Sequence, residues 1–257
     1  MMRKIAFVLL VLVNSVELVR SQPAPIADVQ PLGKSGLFKS ITFKGKKYFV
    51  CEVDPRQYKI ELFNQLPGNK GVYSFEAIAA EKKSYLVFAM NGGMFQPDFS
   101  PVGLFIGKGT SHAINVEEGT GNFYALKPNG VFLIDIQDVA HVLTSEGFVS
   151  TKYKAKIATQ SGPMLVIDGA FNSNFKENSA NLNIRNGVGV TKNNRTVFVI
   201  STEPVNFYEF AQLFRDGLGC DNALYLDGAV SQYFAPELQA SPLPGAPLGV
   251  FIVVSRK

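Results

Sequence analysis

Short apolar runs, each ending in a polar turn that carries glycine, fill most of this chain, and few stretches hold a helical period. Leu37–Phe43 and Lys47–Val53 flank Lys44-Gly45-Lys46 and read as a β-hairpin. Tyr58–Phe63 reads as a third strand. Tyr85–Met90 reads as a buried strand that ends at Asn91-Gly92-Gly93-Met94-Phe95. Val102–Ile106 follows as a strand, and Asn122–Leu126 with Val131–Ile134 predicts a hairpin around Asn129-Gly130. Gln137–Lys154 fits no single period, and a short helix is one reading of it. Ile157–Thr159 enters Gln160-Ser161-Gly162-Pro163. Two further hairpins are expected, Met164–Ile167 with Ala170-Phe171 around Asp168-Gly169, and Arg185–Thr191 with Thr196–Ser201 around Lys192–Arg195. Ala223–Leu226 runs straight into Asp227-Gly228, and Val250–Val254 reads as the last strand.

Two segments carry helix signals. Ser74 can cap a helix to about Lys83 with Phe75, Ile78 and Ala79 on one face. Asn206 and Glu209 have the spacing of a capping box, ahead of a stripe of Phe207, Phe210 and Phe214 that Gly217 and Gly219 help to end. Thr196–Ser201, this helix and Ala223–Leu226 form a strand–helix–strand unit, right-handed if its strands are parallel. There is no internal repeat and no linker. The expected fold class is α+β: a single strand-rich domain over residues 37–257, with a mixed twisted sheet, several hairpins and two or three helices.

The N-terminus adds a compartment. Met1-Met2-Arg3-Lys4 is a basic head, and Ile5–Val13 is unbroken apolar sequence, too short to span a bilayer. Residues 1–22 are read as a secretory signal peptide, cleaved between Ser15 and Ala24, and residues 23–36 as a Pro-containing loose lead-in. The protein is therefore expected to be exported, periplasmic or extracellular, with no membrane span once the signal is removed. Of its 257 residues, 46% are hydrophobic and 18% charged, enough to bury a sizeable core. The net charge of +4 is spread along the chain, with no dense basic run to mark a nucleic-acid partner. Two cysteines in an exported chain predict one disulfide, Cys51–Cys220.

Candidate chemistry sits where strands meet tight turns. Gly92-Gly93 can present bare backbone N–H groups to an anion. Arg185 can hold phosphate or carboxylate through two parallel hydrogen bonds. Asp227 can act as acid, base or nucleophile once partly desolvated. Asn91 and Ser161 can hydrogen-bond sugar hydroxyls or phosphate. Each also has a structural use, as an ion pair or a turn cap. No His, Cys and Asp cluster has transition-metal spacing, no nucleophile elbow or dinucleotide fingerprint is present, and His112 and His141 lie in unrelated contexts. No metal or cofactor is expected.

Four ordered motifs carry a resemblance. Phe88–Phe95, Ala158–Leu165, Ile184–Val190 and Ala223–Gly228 together resemble the phosphodiester glycosidase family, and the likeness runs from about Lys39 to Val254. Pro101-Val102-Gly103-Leu104 and Glu203–Phe207 are similar to its exported bacterial branch. The chain departs from the lysosomal branch at Asn186, where those members resemble Arg-Thr, and at Ala229-Val230, where they resemble Gly-Gly. The resemblance implies hydrolysis of a sugar-1-phosphodiester in an envelope or extracellular glycan. Asp227, Arg185 and Asn91 would be the catalytic residues. Gly92, Gly93, Ser161, Gly162, Asn186, Gly228 and Ser231 would meet the glycan or sugar-phosphate substrate, with Asp98 and Glu203 as reserve carboxylates. The alternative is a non-catalytic envelope protein that binds sugar phosphates or glycans in the same cleft.

Overall fold

The structure, a computed structural model, describes residues 28–64, 74–109, 111–151, 153–228, 231–241 and 248–257. The signal-peptide reading lies outside the described residues. From the N-terminus come β1 (Asp28–Leu32), β2 (Phe38–Phe43), β3 (Lys46–Val53), β4 (Tyr58–Phe63), α1 (Phe75–Lys82), β5 (Leu86–Asn91) and β6 (Phe105–Ile106). A central group follows: α2 (Asn122–Ala125), β7 (Gly130–Asp135), β8 (Ala140–Thr144), α3 (Ser145–Ser150), β9 (Ala155–Ser161), β10 (Met164–Ile167) and β11 (Ala170–Phe171). The last group is β12 (Asn186–Thr191), β13 (Thr196–Ser201), α4 (Phe207–Gln212), β14 (Cys220–Tyr225), β15 (Tyr233–Phe234) and β16 (Phe251–Arg256).

The strands form three sheets. The largest has the order β1-β2-β3-β13-β12-β14-β10-β11, and two four-stranded sheets run β15-β5-β16-β4 and β6-β9-β7-β8. Adjacent strands pair antiparallel throughout these sheets among the described residues. β13 and β14, joined by α4, run parallel, but β12 sits between them.

Alternation decides the layers. In β3, Tyr48 and Val50 face one way while Phe49, Cys51 and Val53 face the other, and in β13 Val197 and Val199 alternate with Phe198 and Ile200. Both faces of the large sheet are therefore buried, which is why its central strands read as continuous apolar runs. One face packs on both small sheets around Phe88, whose ring lies 6.3 Å from Phe38, 6.1 Å from Phe49 and 5.9 Å from Phe198. The other face is covered by α4 and the π-turn after it, through Phe210 and Phe214. α1 covers the outside of one small sheet with Phe75 and Ile78, and Phe148 of α3 packs on the other.

Local signals resolved as expected where they were strong. The β2–β3 turn places Lys44 and Gly45 at φ 49° and 77°, and Asn206 and Glu209 close a full capping box on α4. Three expectations change. Asn122–Ala125 is a helical turn, and β7 pairs instead with β8, drawn from the segment of mixed period. Asp28–Leu32, part of the expected lead-in, pairs with β2 as an edge strand. The third is the disulfide: Cys51 and Cys220 are free and buried. β13 and β12 separate their strands, so they stand three strand spacings apart, about 14 Å, and they face opposite sides of the large sheet. A disulfide spans Cα atoms no more than about 7 Å apart.

Burial pushes the Cys220 thiol up to about 12 and raises Cys51 well above its ordinary value. An unfolded thiol ionises near 8.5, so above about pH 8.5 the unfolded state sheds protons that the folded state keeps, and stability falls as pH rises. Denatured protein should titrate two free thiols, reductant should leave the melting temperature unchanged, and Cys220→Ala should flatten the loss of melting temperature between pH 8.5 and 10.

Candidate active site

Three strand ends, one from each sheet, fasten on a single length of backbone. Asn91 closes β5, Ser161 closes β9 and Asn186 opens β12; all are buried. Asn91 Nδ2 donates to Asp227 O at 2.8 Å, and Asn91 Oδ1 accepts Gln232 N–H at 2.9 Å. Asn186 Nδ2 donates to Asn91 O at 3.0 Å, and Asn186 Oδ1 accepts Asp227 N–H at 2.8 Å. The Ser161 hydroxyl donates to Leu226 O. Asn91, expected as a catalytic residue, and Ser161 and Asn186, expected as substrate contacts, bind the main chain on both sides of Asp227.

That backbone delivers Asp227, half-buried, to a cavity of about 360 Å³. Phe95, Phe123 and Tyr124 supply aromatic walls, with Gln96, Thr120 and Asn122 as polar groups. Asp227 is the only acid among the described lining residues. The walls are themselves fixed. Gln160 Oε1 accepts Leu104 N–H and Asn115 N–H, each at 2.9 Å, while Asn115 Nδ2 donates to Val102 O and to Tyr124 Oη, each at 3.0 Å.

Arg185 does not line this cavity. It is 2% exposed, and its Nε donates to Val205 O at 2.9 Å. Its Nη2 donates to Asn181 O at 2.9 Å and to Asn181 Oδ1 at 3.1 Å. The guanidinium stacks 3.6 Å from the Phe207 ring centroid and lies 5.6 Å from that of Tyr225. Burial lowers its pKa, with Tyr225 opposing the shift. Tyr225 links the two halves of the site. Burial raises its phenol, the Asp227 charge raises it further, and Arg185 opposes both. Its hydroxyl also accepts Gly228 N–H at 2.5 Å. Phe207 read as part of a buried helix stripe, Tyr225 as strand interior and Asn181 as loop, and only the fold wraps them around Arg185.

The other expected site residues divide. Gly92 N–H donates to Val250 O at 2.9 Å, so that amide is committed to the backbone. A Cβ at Gly93 would stand 2.8 Å from Thr159 Oγ1, and one at Gly228 would stand 2.8 Å from Ile184 O, so both positions need glycine for close packing. Gly162 packs against Asn129 in the same way. Ser231 Oγ donates weakly, at 3.4 Å, to Asp227 O and to Gly228 O. Asp98 accepts from Ser100 in its own turn, and Glu203 accepts Lys47 N–H at 2.7 Å beside the β2–β3 hairpin. Neither lines the cavity with Asp227. His141 pairs with Asp135 at 3.0 Å, and His112 bridges to Phe105.

A family model described as phosphodiester glycosidase matches residues 84–254. The Escherichia coli (strain K12) protein YigE, itself described as uncharacterized, is 33% identical over 208 residues, 80% of each chain. Among solved structures, the catalytic domain of zebrafish N-acetylglucosamine-1-phosphodiester alpha-N-acetylglucosaminidase, auto-inhibited by its pro-peptide, aligns with a TM-score of 0.60. That match has 16% identity and covers 90% of this chain and 88% of the other. A hypothetical protein from Synechocystis aligns with a TM-score of 0.55 and 14% identity, over 86% of this chain and 62% of that one.

Removing an amide from the three-sheet junction should cost more than a surface hydrogen bond, because its partners stay buried. Asn91→Ala leaves Asp227 O and Gln232 N–H without their partner, so urea denaturation should show a loss of about 2–4 kcal/mol. Ser161→Ala, which removes one bond, should cost about 1 kcal/mol.

Proposed function

The chain belongs to the phosphodiester glycosidase family, and from that premise we propose that it hydrolyses the bond between a sugar's anomeric carbon and a phosphodiester oxygen. The observation that carries this reading is Asp227, the one acid among the described residues of an aromatic-walled cavity, held there by hydrogen bonds to its backbone. Flat aromatic faces suit the C–H faces of a sugar ring. A phosphate leaving group departs without the protonation that an ordinary glycoside requires, so one carboxylate suffices where most glycosidases use two. Asp227 takes a proton from water as the water oxygen bonds to the anomeric carbon. The carbon–oxygen bond to phosphate breaks, and its electron pair leaves with the phosphate. The products are free sugar and a phosphomonoester.

In this reading the positive charge for the phosphate is not assigned to Arg185, whose Nε and Nη2 donate to neutral groups. Lys127 is the better source. Its ammonium lies 5.6 Å from the ring centroids of both Phe123 and Tyr124, two walls of the cavity. Arg185 instead braces Tyr225 and Phe207 beneath the loop that carries Asp227. The basic head and the apolar run Ile5–Val13 support action on an envelope or extracellular glycan.

Release of sugar from a panel of sugar-1-phosphodiesters by the purified protein tests the reading. Asp227→Asn should keep the melting temperature and lose about 10²-fold or more in turnover; full turnover in that variant would refute its role. Lys127→Gln should raise KM several-fold with little change in kcat, the mark of lost substrate binding. Arg185→Lys should lower melting temperature and activity together, since an ammonium cannot reproduce the stacked planar fork. Saturable phosphodiester binding without sugar release would favour the non-catalytic binding protein.

A further inference from the structure

A second cavity, about 610 Å³, shares no residue with the Asp227 site. It opens where β4, the edge of one small sheet, diverges from β6 and β9 of the other. The two sheets touch at one end of the wedge, where Lys108 N–H donates to Leu62 O at 2.7 Å and Asn64 N–H to Lys108 O at 3.1 Å. Beyond that contact they part. The floor between them is aliphatic: Ile60, Leu62, Ile106, Ile134 and Ile157.

The rim is cationic. Glu61 is shared by Lys59 at 3.0 Å, Lys108 at 3.3 Å and Lys82, and Asp138 by Lys156 at 2.7 Å and Lys257 at 3.2 Å. Lys108 also reaches Glu81 at 3.2 Å. Among the described lining residues four ammoniums, Lys59, Lys108, Lys156 and Lys257, stand against two carboxylates, Glu61 and Asp138, a surplus of two positive charges. Burial alone would raise the Glu61 carboxyl, but hydrogen bonds from Lys82 and Lys59 outweigh it and hold the group ionised. Half-exposed lysines around an aliphatic floor can keep their stems on apolar surface and turn their heads to an anion.

We propose that this cavity binds an alkyl phosphate monoester, its chain along the aliphatic floor and its dianionic head among the rim lysines. The volume lies within the range of small-molecule sites, and the surplus charge matches a phosphate dianion. Tyr58 is the one aromatic among the described lining residues.

Calorimetric titration of the full protein with decyl phosphate, kept below its micelle concentration, tests this beside decyl maltoside and inorganic phosphate. Decyl phosphate should saturate one site, and each of the others should bind at least about tenfold more weakly, one probe lacking the charge and the other the chain. Lys156→Gln with Lys257→Gln should weaken decyl phosphate about tenfold. Asp138→Asn removes a rim carboxylate and should tighten it; asparagine suits the left-handed backbone there, φ 61°. Equal affinity for decyl maltoside, no saturable binding, or affinity unchanged in both variants would overturn the proposal.

Discussion

Everything at the Asp227 site depends on one buried hydrogen-bonded junction. Three sheets whose shared core is hydrocarbon are tied together at the peptide groups flanking Asp227. Hydrocarbon packing is non-directional and would let the sheets shift against one another. The Asn91, Asn186 and Ser161 bonds add direction, joining positions 136, 41 and 65 residues apart in the chain. Because the donors and acceptors are buried, losing one bond leaves its partners unsatisfied, so the junction holds as a unit.

The junction also explains which parts of the site were legible in the sequence. Asn91 and Ser161 stood out because each sits where an apolar strand meets a glycine-bearing turn, Asn186 through the family resemblance, and the structure does bring them together. Their task was not legible. Whether an amide faces a ligand or a distant carbonyl is set by long-range pairing, which no local pattern carries. The surroundings of Arg185 were hidden for the same reason: an arginine before a strand reads as an anion clamp, and only the fold brings Asn181, Val205 and Phe207 around it.

Fold elements follow the same division. The Lys44-Gly45 turn, the Asn206 capping box and the Asp168-Gly169 turn are enforced by their own residues, and all formed as read. β8 was obscured because its five residues run directly into α3, capped by Thr144, so two periods overlap. The expected strand at Asn122–Leu126 lost to tertiary context: Asn129 Nδ2 binds Phe123 O at 2.9 Å, which curls that segment towards the cavity. The cysteines misled because an even count in an exported chain says nothing about which face of a sheet each thiol takes.

Support and recognition are divided between neighbours on one strand. Gln160 and Ser161 are consecutive in β9, so their side chains leave it on opposite faces. Ser161 holds the junction behind Asp227, while Gln160 holds the segment from Val102 to Asn115 and, through Asn115, the Tyr124 wall. A substitution in Phe95, Phe123 or Tyr124 can therefore reshape the surface a sugar would meet without reaching the bonds that fix Asp227. That separation lets the walls of the cavity vary while the scaffold that fixes Asp227 keeps its architecture.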